Sequence, residues 1–222
     1  MVQGHFIVLE GIDGAGTSTQ AALLGKWYRE QGLPVLVTHE PTDGPIGSII
    51  HQVLTSRLVV HGITGPHAPL WTTMALLFAA DRLDHLEATI LPNLIDGVTI
   101  ISDRYDLSSL AYQRSSGDAD SKRSDVQWVR TLNAKARRPD LTIVLNVAHE
   151  VAAQRREERG WTAELYEEKS FQQVLENSYR SAESLIPGDR IAYVDGNSDI
   201  QSIHKAVVEA VCALRTNTQD NV

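Results

Sequence analysis

A glycine-rich segment near the start of the chain, residues 11–19, separates a short apolar run from a stretch with helical periodicity. It reads Gly-Ile-Asp-Gly-Ala-Gly-Thr-Ser-Thr, the spacing of a P-loop, G-x-x-x-x-G-K-[ST], except that Thr17 takes the place of the lysine. In a P-loop the glycines let backbone N–H groups point at phosphate oxygens, and the following helix adds its positive N-terminal end. Ser18 stands where a hydroxyl ligates Mg²⁺. The segment therefore predicts a phosphate site in a phosphoryl-transfer protein, without the lysine that normally brings positive charge to the transferred phosphate.

Apolar runs and helical patterns alternate along the chain, which indicates a parallel sheet whose strands are connected by helices. We predict strands over residues 5–10, 35–38, 98–102, 141–147 and 191–194. We predict helices over residues 17–31, 46–54, 72–94 (with a break near Pro92) and 202–215, and a loop over 61–69. Since no repeat and no long linker divides the 222 residues, we expect one α/β domain over 1–215 and a polar, frayed tail over 216–222.

Polar residues follow the first three predicted strands at their carboxyl ends, where parallel sheets bind ligands. The glycine-rich segment follows the first strand, Glu40 and Pro41 follow the second, and Asp103 and Arg104 follow the third. An aspartate in that position holds Mg²⁺ through water in Walker-B-type sites, and an adjacent arginine bridges phosphates. A charged pair at a strand end is also common without any such role, but its combination with a P-loop favours the functional interpretation.

Two further pairs of residues lie four positions apart, which places each pair on one face of a helix. Phe78 and Arg82 offer an aromatic surface for a base and a guanidinium for its phosphate. The alternative is a core phenylalanine beside a solvated arginine. Arg155 and Arg159 lie in a highly charged segment and are predicted to belong to a flexible lid, about residues 150–165, that closes over the phosphates. The alternative for that pair is a solvated helix face with local ion pairs.

Charge and cysteine content exclude several classes of function. The formal net charge of −8 argues against non-specific nucleic-acid binding, which needs a basic face to displace counterions. Cys212 is the only cysteine, so neither a disulfide framework nor a cysteine metal site is expected. No apolar stretch approaches the roughly 20 residues of a membrane span, and the first predicted strand begins too early to leave room for a signal peptide. We expect no nucleic-acid partner, no membrane association and a cytoplasmic location.

Six short segments resemble the thymidylate kinases, a family of P-loop nucleoside-monophosphate kinases, and the resemblance extends over almost the whole chain. They are Glu-Gly-Ile-Asp-Gly-Ala-Gly at 10–16, Glu-Pro at 40–41, Leu-Phe-Ala-Ala-Asp-Arg at 77–82, Asp-Arg-Tyr at 103–105, Ser-Ser-Leu-Ala-Tyr-Gln at 108–113 and Arg-Pro-Asp-Leu at 138–141. Asp-Arg-Tyr followed by Ser-Ser-Leu-Ala-Tyr-Gln is specific to this family among P-loop kinases.

This resemblance implies a fold, a reaction and an assembly. The implied fold is the three-layer P-loop kinase fold, a five-stranded parallel sheet with helices on both faces and a short arginine-bearing lid. The implied reaction transfers the γ-phosphate of ATP to dTMP with Mg²⁺. Family members are commonly homodimers that pack through helices beside the acceptor site, for which the predicted helix over 72–94 is the candidate here.

The resemblance also implies roles for individual residues. ATP is expected at the glycine-rich loop, with its adenine near residues 195–197 and its phosphates at Gly11, Asp13, Gly14, Ala15, Gly16, Thr17, Ser18 and Thr19. The acceptor dTMP is expected to contact Glu40, Pro41, His51, Phe78, Arg82, Arg104, Ser108, Ser109, Tyr112 and Gln113. Phe78 is expected to stack on thymine, and Tyr112 is expected under the deoxyribose. Catalysis is expected from Asp13, Arg104, Arg155 and Arg159, and the ligands of Mg²⁺ are expected to be Ser18 and Asp103.

Three positions depart from the family pattern toward less positive charge around the phosphates. Thr17 replaces the lysine, and His51 and His39 stand where arginine is usual or frequent. One such group is worth roughly 3 kcal/mol of transition-state stabilisation. We hypothesise that Arg155 or Arg159, together with Mg²⁺, takes over the electrostatic role of the lysine. Two alternatives stay open: a catalytically impaired nucleotide-binding protein on the same fold, and a kinase for another pyrimidine monophosphate such as dUMP.

Overall fold

A five-stranded sheet forms the centre of the computed structural model, which describes residues 4–63, 65–116, 122–158, 160 and 169–219. The strands lie in the order β2 (Val35–His39), β5 (Thr99–Asp103), β1 (Phe6–Glu10), β6 (Leu141–Asn146) and β7 (Ile191–Asp195). Each neighbouring pair is parallel. The predicted α/β fold with five parallel strands is confirmed, and each strand begins and ends within one residue of its predicted range.

Helices connect the strands and cover the sheet. Within the described residues they are α1 (Thr17–Glu30), α2 (Pro45–Leu54), α3 (Trp71–His85), α4 (Leu91–Ile95), α5 (Asp106–Ser116), α6 (Lys122–Leu132), α7 (His149–Glu158), α8 (Lys169–Arg180), α9 (Ala182–Leu185) and α10 (Ile200–Gln219). No helix in this part of the chain has both the length and the apolar character that crossing a membrane requires.

Both faces of the sheet are buried, because successive residues of a strand point to opposite sides. In β1, Ile7 and Leu9 belong to the apolar cluster that includes Leu24 of α1. Phe6 and Val8 belong to a second cluster, which includes Ile90, Leu94 and Ile100. Two-sided burial explains why the strands read as nearly continuous apolar runs, and it leaves the strand ends as the places where polar side chains reach a solvent-accessible site.

The segment predicted as a loop over 61–69 contains two short strands instead. Strands β3 (Val60–Gly62) and β4 (Gly65–His67) form an antiparallel pair, in which Val60 lies opposite His67. The glycines that suggested a loop lie at the inner ends of the two strands, where Gly65 has a φ of 108°. A tight reversal needs such residues, so the same signal fits a hairpin.

The predicted helix over 72–94 does not break at Pro92. A single π-helical turn (Leu86–Ile90) joins α3 to α4, and Pro92 lies in the first turn of α4. A proline ring clashes with the carbonyl one turn earlier in a regular helix, and a widened turn relieves that clash. The last helix also differs from its expected end, since α10 continues to Gln219. Residues 216–219 contain neither glycine nor proline to end it.

Candidate active site

The carboxyl ends of β1, β2 and β5 open onto one cavity of about 400 Å³, at the edge of the sheet where the sequence predicts the site. Residues of α2, α3 and α5 complete its walls. The predicted site residues that line it are Asp13, Gly14, Gly16, Thr17, Ser18, Glu40, Pro41, His51, Phe78, Arg82, Asp103, Arg104, Ser108, Ser109 and Tyr112. His39, Leu54 and Tyr105 line it as well. The fold thus brings the predicted loop and acceptor residues together.

The glycine-rich loop between β1 and α1 takes its shape from residues without a side chain. Gly14 and Gly16 have φ values of 89° and 97°, in the left-handed region that favours glycine. Gly16 precedes α1 directly, so the positive end of that helix and its free N–H groups lie at the loop. Thr17 is only 5% exposed. The loop therefore offers backbone donors to phosphates, as predicted, while no side chain within it carries positive charge.

Arg104 connects the loop to α5. Its Nη2 donates to Asp13 Oδ1 at 2.6 Å, and its Nη1 donates to the Gly11 carbonyl at 2.9 Å and to Ser108 Oγ at 3.0 Å. The Tyr112 hydroxyl donates to the other carboxylate oxygen of Asp13 at 2.8 Å. These charge-assisted bonds are the stronger kind and fix the planar guanidinium in orientation. Asp13 and Arg104, two of the predicted catalytic residues, are held together at the cavity wall.

Glu10, the last residue of β1, is a fully buried carboxyl group that shares partners with Arg104. Its Oε1 accepts from the N–H groups of Tyr105 and Ser108 at 2.9 and 3.2 Å. Its Oε2 accepts from the hydroxyls of Ser108 and Tyr179 at 2.6 and 3.3 Å, and both hydroxyls also accept from Arg104. Burial raises the pKa of Glu10 from 4.5 to about 7, although Arg104 and the hydrogen bonds oppose the change. Glu10 is thus a buried acid that is connected to Arg104 through the hydroxyls of Ser108 and Tyr179.

The raised pKa of Glu10 predicts a pH-dependent contribution to stability. Below pH 4.5 the carboxyl group is protonated in both the folded and the unfolded protein. Between pH 4.5 and about 7 only the folded protein keeps the proton. Folding therefore becomes less favourable as the pH rises through this window, and Glu10 lowers the free energy of unfolding by about 3 kcal/mol across it. We expect E10Q, which cannot titrate, to gain about that much stability relative to the wild type. Urea denaturation at the two ends of the window measures the difference.

The matched control for this measurement is E30Q. Glu30 lies at the exposed end of α1, where it forms a surface salt bridge with Lys26 at 3.7 Å. Such pairs contribute little to stability, so the stability difference between E30Q and the wild type should hardly change with pH. If the difference between E10Q and the wild type is the same at both ends of the window, the raised pKa is wrong.

Arg82 reaches the cavity from α3, but protein partners surround its guanidinium. One Nη lies 2.7 Å from Glu40 Oε2 and 3.2 Å from Ser109 Oγ, and the other donates to Asn133 Oδ1 at 2.5 Å. The side chains of Arg82 and Glu40 are 1% and 2% exposed, and His85 Nδ1 lies 3.1 Å from the same carboxylate. The alternative of a solvated arginine is therefore wrong. The predicted contact of Arg82 with the acceptor nucleotide stays a prediction.

Aromatic side chains line part of the cavity. Phe78 is half-buried, packed against the cluster of α2 and α3 residues on one side, and lines the cavity. The guanidinium carbon of Arg104 lies over the ring of Tyr112, 5.8 Å from the ring centroid. The ring of Tyr112 also contacts the ring of Phe171. His51 is exposed at the last turn of α2 and also lines the cavity. A planar base and a sugar are the groups that suit these walls.

Two oxygen-bearing side chains in the cavity fit a magnesium ion. Asp103 Oδ1 is buried and has no hydrogen-bond partner within the described residues, although a buried carboxylate oxygen normally has one. Ser18 is exposed at the first turn of α1 and lines the same cavity. Carboxylate and hydroxyl oxygens are ligands that Mg²⁺ accepts, and this ion keeps several waters and needs few protein groups. The described residues contain no cluster of three or more histidine, cysteine or carboxylate side chains that suits another metal.

A second cavity, of about 610 Å³, borders the glycine-rich loop and lies next to the segment expected near adenine. Its lining includes Ala15, Gly16 and Thr19 from the loop and the start of α1, Arg155 from α7, and residues 198–201. Arg155 on α7 donates to the Ser198 carbonyl at 3.3 Å. The side chain of Gln113 and the whole of Arg159 lie outside the described residues. The predicted roles of these two residues therefore stay predictions.

Three residues of the site region were not found from the sequence. Glu10 lies at a strand end, where charged residues are common, so only its complete burial in the structure shows why it matters. Tyr179 on α8 meets Glu10 and Arg104 across long stretches of chain. Arg156 on α7 donates to the carbonyl oxygen of Asp13 in the loop. Neither of the last two has a local sequence pattern that distinguishes it from its neighbours.

Comparisons with known proteins agree with this geometry. A family model described as thymidylate kinase matches residues 9–207. A probable thymidylate kinase of Pyrococcus horikoshii is 38% identical over 210 residues, which cover 95% of this chain and 97% of that protein. A thymidylate kinase of Nitrosomonas eutropha is 35% identical over 217 residues, 95% of this chain and 94% of that protein. A solved thymidylate kinase of Candida albicans aligns with a TM-score of 0.76 and 26% identity, covering 97% of this chain and 93% of that one.

Proposed function

This chain belongs to the thymidylate kinase family, and from that premise we propose that it transfers the γ-phosphoryl group of ATP to dTMP, giving ADP and dTDP. The observation that best supports the proposal is the single cavity where the glycine-rich loop meets Arg104, Phe78 and Tyr112. The loop suits the phosphates of the donor. The arginine suits the phosphate of the acceptor, and the two aromatic rings suit its base and sugar.

The transfer demands little covalent chemistry from the protein. The bond between the γ-phosphorus and the oxygen that bridges to the β-phosphate breaks, and its electron pair leaves with ADP. A new bond forms between the same phosphorus and an oxygen of the dTMP phosphate, which is already ionised at neutral pH and needs no strong base. Catalysis then depends on holding the two nucleotides in line and on neutralising charge. Arg104, oriented by Asp13 and the Gly11 carbonyl, is our candidate for the residue that grips the acceptor phosphate.

The proposal includes Mg²⁺ as the cofactor, held by Asp103 and Ser18. The unpartnered buried oxygen of Asp103 and the hydroxyl of Ser18 on the same cavity support this choice. When bound, the ion supplies positive charge to the phosphates of the donor. Asp103 lies beside Leu9 in the register of β1 and β5, so the sheet itself fixes its backbone at the start of the glycine-rich loop.

The experiment that tests the proposal is ADP release by the purified protein with ATP, Mg²⁺ and dTMP. Parallel reactions contain dUMP, dCMP, dGMP or no acceptor, and a further one contains a chelator of Mg²⁺. We expect release that depends on dTMP and that stops when Mg²⁺ is removed. Faster release with dUMP supports a different pyrimidine acceptor. Binding of dTMP without release with any acceptor supports the impaired nucleotide-binding protein, an alternative that none of the named relatives favours.

We also propose a homodimer that packs through α3. Leu76 and Leu83 lie seven positions apart and therefore on one face of this helix, and they are 51% and 40% exposed. Leu70, just before the helix, and Ile95, at the end of α4, are more exposed still, at 67% and 70%. Exposed apolar side chains on one helix face are typical of an interface between subunits. Sedimentation velocity should give a species of twice the chain mass, and a monomer at all concentrations contradicts the proposal.

A further inference from the structure

The glycine-rich loop lacks its lysine, so any cation that serves its phosphates must come from elsewhere in the fold. Within the described residues two arginines donate hydrogen bonds to the loop, Arg104 and Arg156. Arg104 is oriented by the carboxylate of Asp13 at 2.6 Å and is already our candidate for the acceptor phosphate, so it is not the candidate for the donor phosphates. Arg156 instead donates to the carbonyl oxygen of Asp13, and none of the salt bridges among the described residues involves it. Its positive charge is therefore not neutralised by a carboxylate there.

Helix α7 delivers Arg156 to the loop because glycine leaves room for it. A Cβ atom added to Gly14 would lie 2.5 Å from the Ala152 carbonyl oxygen and 3.2 Å from Cγ of Arg156. The backbone of α7 thus packs directly on the loop at a position where no other residue type fits. The first residue of α7, His149, is tied to Glu176 of α8 by its N–H at 3.0 Å and by its ring Nδ1 at 2.9 Å. The helix that carries Arg156 is therefore anchored at its start and packed on the loop further along.

The neighbouring arginine of α7 serves a different place. Arg155 donates to the Ser198 carbonyl and lines the second cavity, next to the segment expected near adenine. Successive residues of a helix point in directions about 100° apart, so the two arginines contact different parts of the site. The structure places Arg156 on the loop. The compensating role that we hypothesised for Arg155 or Arg159 thus has a better-placed candidate in the described part of the chain.

We propose that Arg156 replaces the missing P-loop lysine and binds the phosphate oxygens of ATP at the glycine-rich loop. This inference rests on the proposed function. One N–H group of Arg156 holds the Asp13 carbonyl, which orients the guanidinium, and its other N–H groups donate to no group among the described residues, so they can bind phosphate oxygens. Because arginine presents a fork of donors and stays charged at all relevant pH values, it supplies the charge that Thr17 cannot.

The test combines the loss of Arg156 with the return of the lysine. The variants are R156Q, R156K, T17K and the double variant R156Q/T17K, each compared with the wild type for kcat, for KM of ATP and for ATP affinity by calorimetry. We expect R156Q to lower kcat by about 100-fold or more. We expect T17K to raise the kcat of R156Q by about tenfold or more, since lysine then fills its usual P-loop position.

The matched control is R29Q, which also removes one positive charge. Arg29 is exposed in the last turn of α1, the same helix that begins at the loop, and lies at its opposite end. Its removal should change kcat and ATP affinity within about twofold. If only the net charge of the protein mattered, R156Q and R29Q would change kcat and ATP affinity equally. A larger effect of R156Q therefore shows that the position of Arg156 matters.

The possible outcomes separate this inference from the proposed function. If the wild type phosphorylates no acceptor, the proposed function fails, but ATP affinity still tests Arg156, because R156Q should weaken it and T17K should restore it. The inference is overturned if R156Q keeps more than about one third of the activity and ATP affinity of the wild type, a change that surface substitutions also produce. It is equally overturned if R156Q/T17K, folded as judged by thermal melting, recovers neither. Should R156Q fail to fold, R156M takes its place, because it also removes the charge while keeping an unbranched side chain. Unchanged ATP affinity and kcat for R156M contradict the inference.

Discussion

Replacing Arg104 by methionine is expected to lower kcat about a thousandfold or more, because the change removes the charge that balances the phosphates in the transition state. The same change leaves Asp13 without its partner at 2.6 Å, so a negative charge would then face the transferred phosphate. Both effects act in the same direction on the transition state. Steady-state kinetics of ADP release, with dTMP varied at saturating ATP, measures the loss.

The comparison that interprets R104M uses R104K and R29Q. R104K keeps the charge but loses the planar fork that bonds Asp13 and the Gly11 carbonyl together, so its kcat should lie between those of R104M and the wild type. R29Q should behave like the wild type, since Arg29 is exposed at the far end of α1. A kcat for R104M within about tenfold of the wild type contradicts the role assigned to Arg104, because even one lost transition-state donor costs more than that.

Replacing Arg82 by methionine is expected to lower the free energy of unfolding by about 3 to 5 kcal/mol. Arg82 and Glu40 form a buried ion pair at 2.7 Å, and the guanidinium also bonds Asn133 at 2.5 Å. Removing the arginine leaves the carboxylate of Glu40 buried with His85 as its remaining close partner. Burying a charge without a counter-charge costs far more than the pair itself contributes. Chemical denaturation in urea measures the difference.

A double variant distinguishes the unpaired charge from the loss of packing. R82M/E40Q carries no buried carboxylate at this position, so it should recover more than half of the stability that R82M loses, because most of that loss is the cost of the uncompensated charge. If R82M is destabilised by less than about 1 kcal/mol, the pair does not behave as a buried one. If R82M/E40Q is no more stable than R82M, lost packing rather than unpaired charge explains the effect.

Much of the fold and part of the site followed from local sequence patterns. The strand before the glycine-rich loop is apolar at every position but the last, and its residues are fully buried in two clusters on opposite faces of the sheet. Glycines at 14 and 16 are needed for positive φ values, so the loop was readable residue by residue. Strand ends carry the polar residues of the site because parallel strands align their carboxyl ends along one edge.

Other features did not follow from any local pattern. The sequence predicted Phe78 and Arg82 as a pair on one helix face, but the partners of Arg82 are Glu40 after β2, Ser109 on α5 and Asn133 after α6, and they bury its charge completely. Glycines suggested a loop where β3 and β4 form a hairpin, since the same residue types serve both. Pro92 suggested a break where a π-helical turn keeps the helix continuous. In each case a long-range contact or a compensating backbone turn decided between two structures that the local sequence allows.

The sequence by itself determined the parallel sheet, the backbone shape of the phosphate loop and the edge of the sheet that carries the site, because these depend on side-chain periodicity and on the torsional freedom of glycine within a few residues. It also showed that the loop has no cation of its own, since Thr17 stands at the lysine position. Only the tertiary structure decided which charges are neutralised and which are available. Glu40 neutralises the buried charge of Arg82, whereas Asp13 orients Arg104 at the cavity, and Arg156 reaches the loop from a helix that begins more than a hundred residues later. Electrostatic pairing depends on distances between atoms in space, and the order of residues along the chain does not specify them.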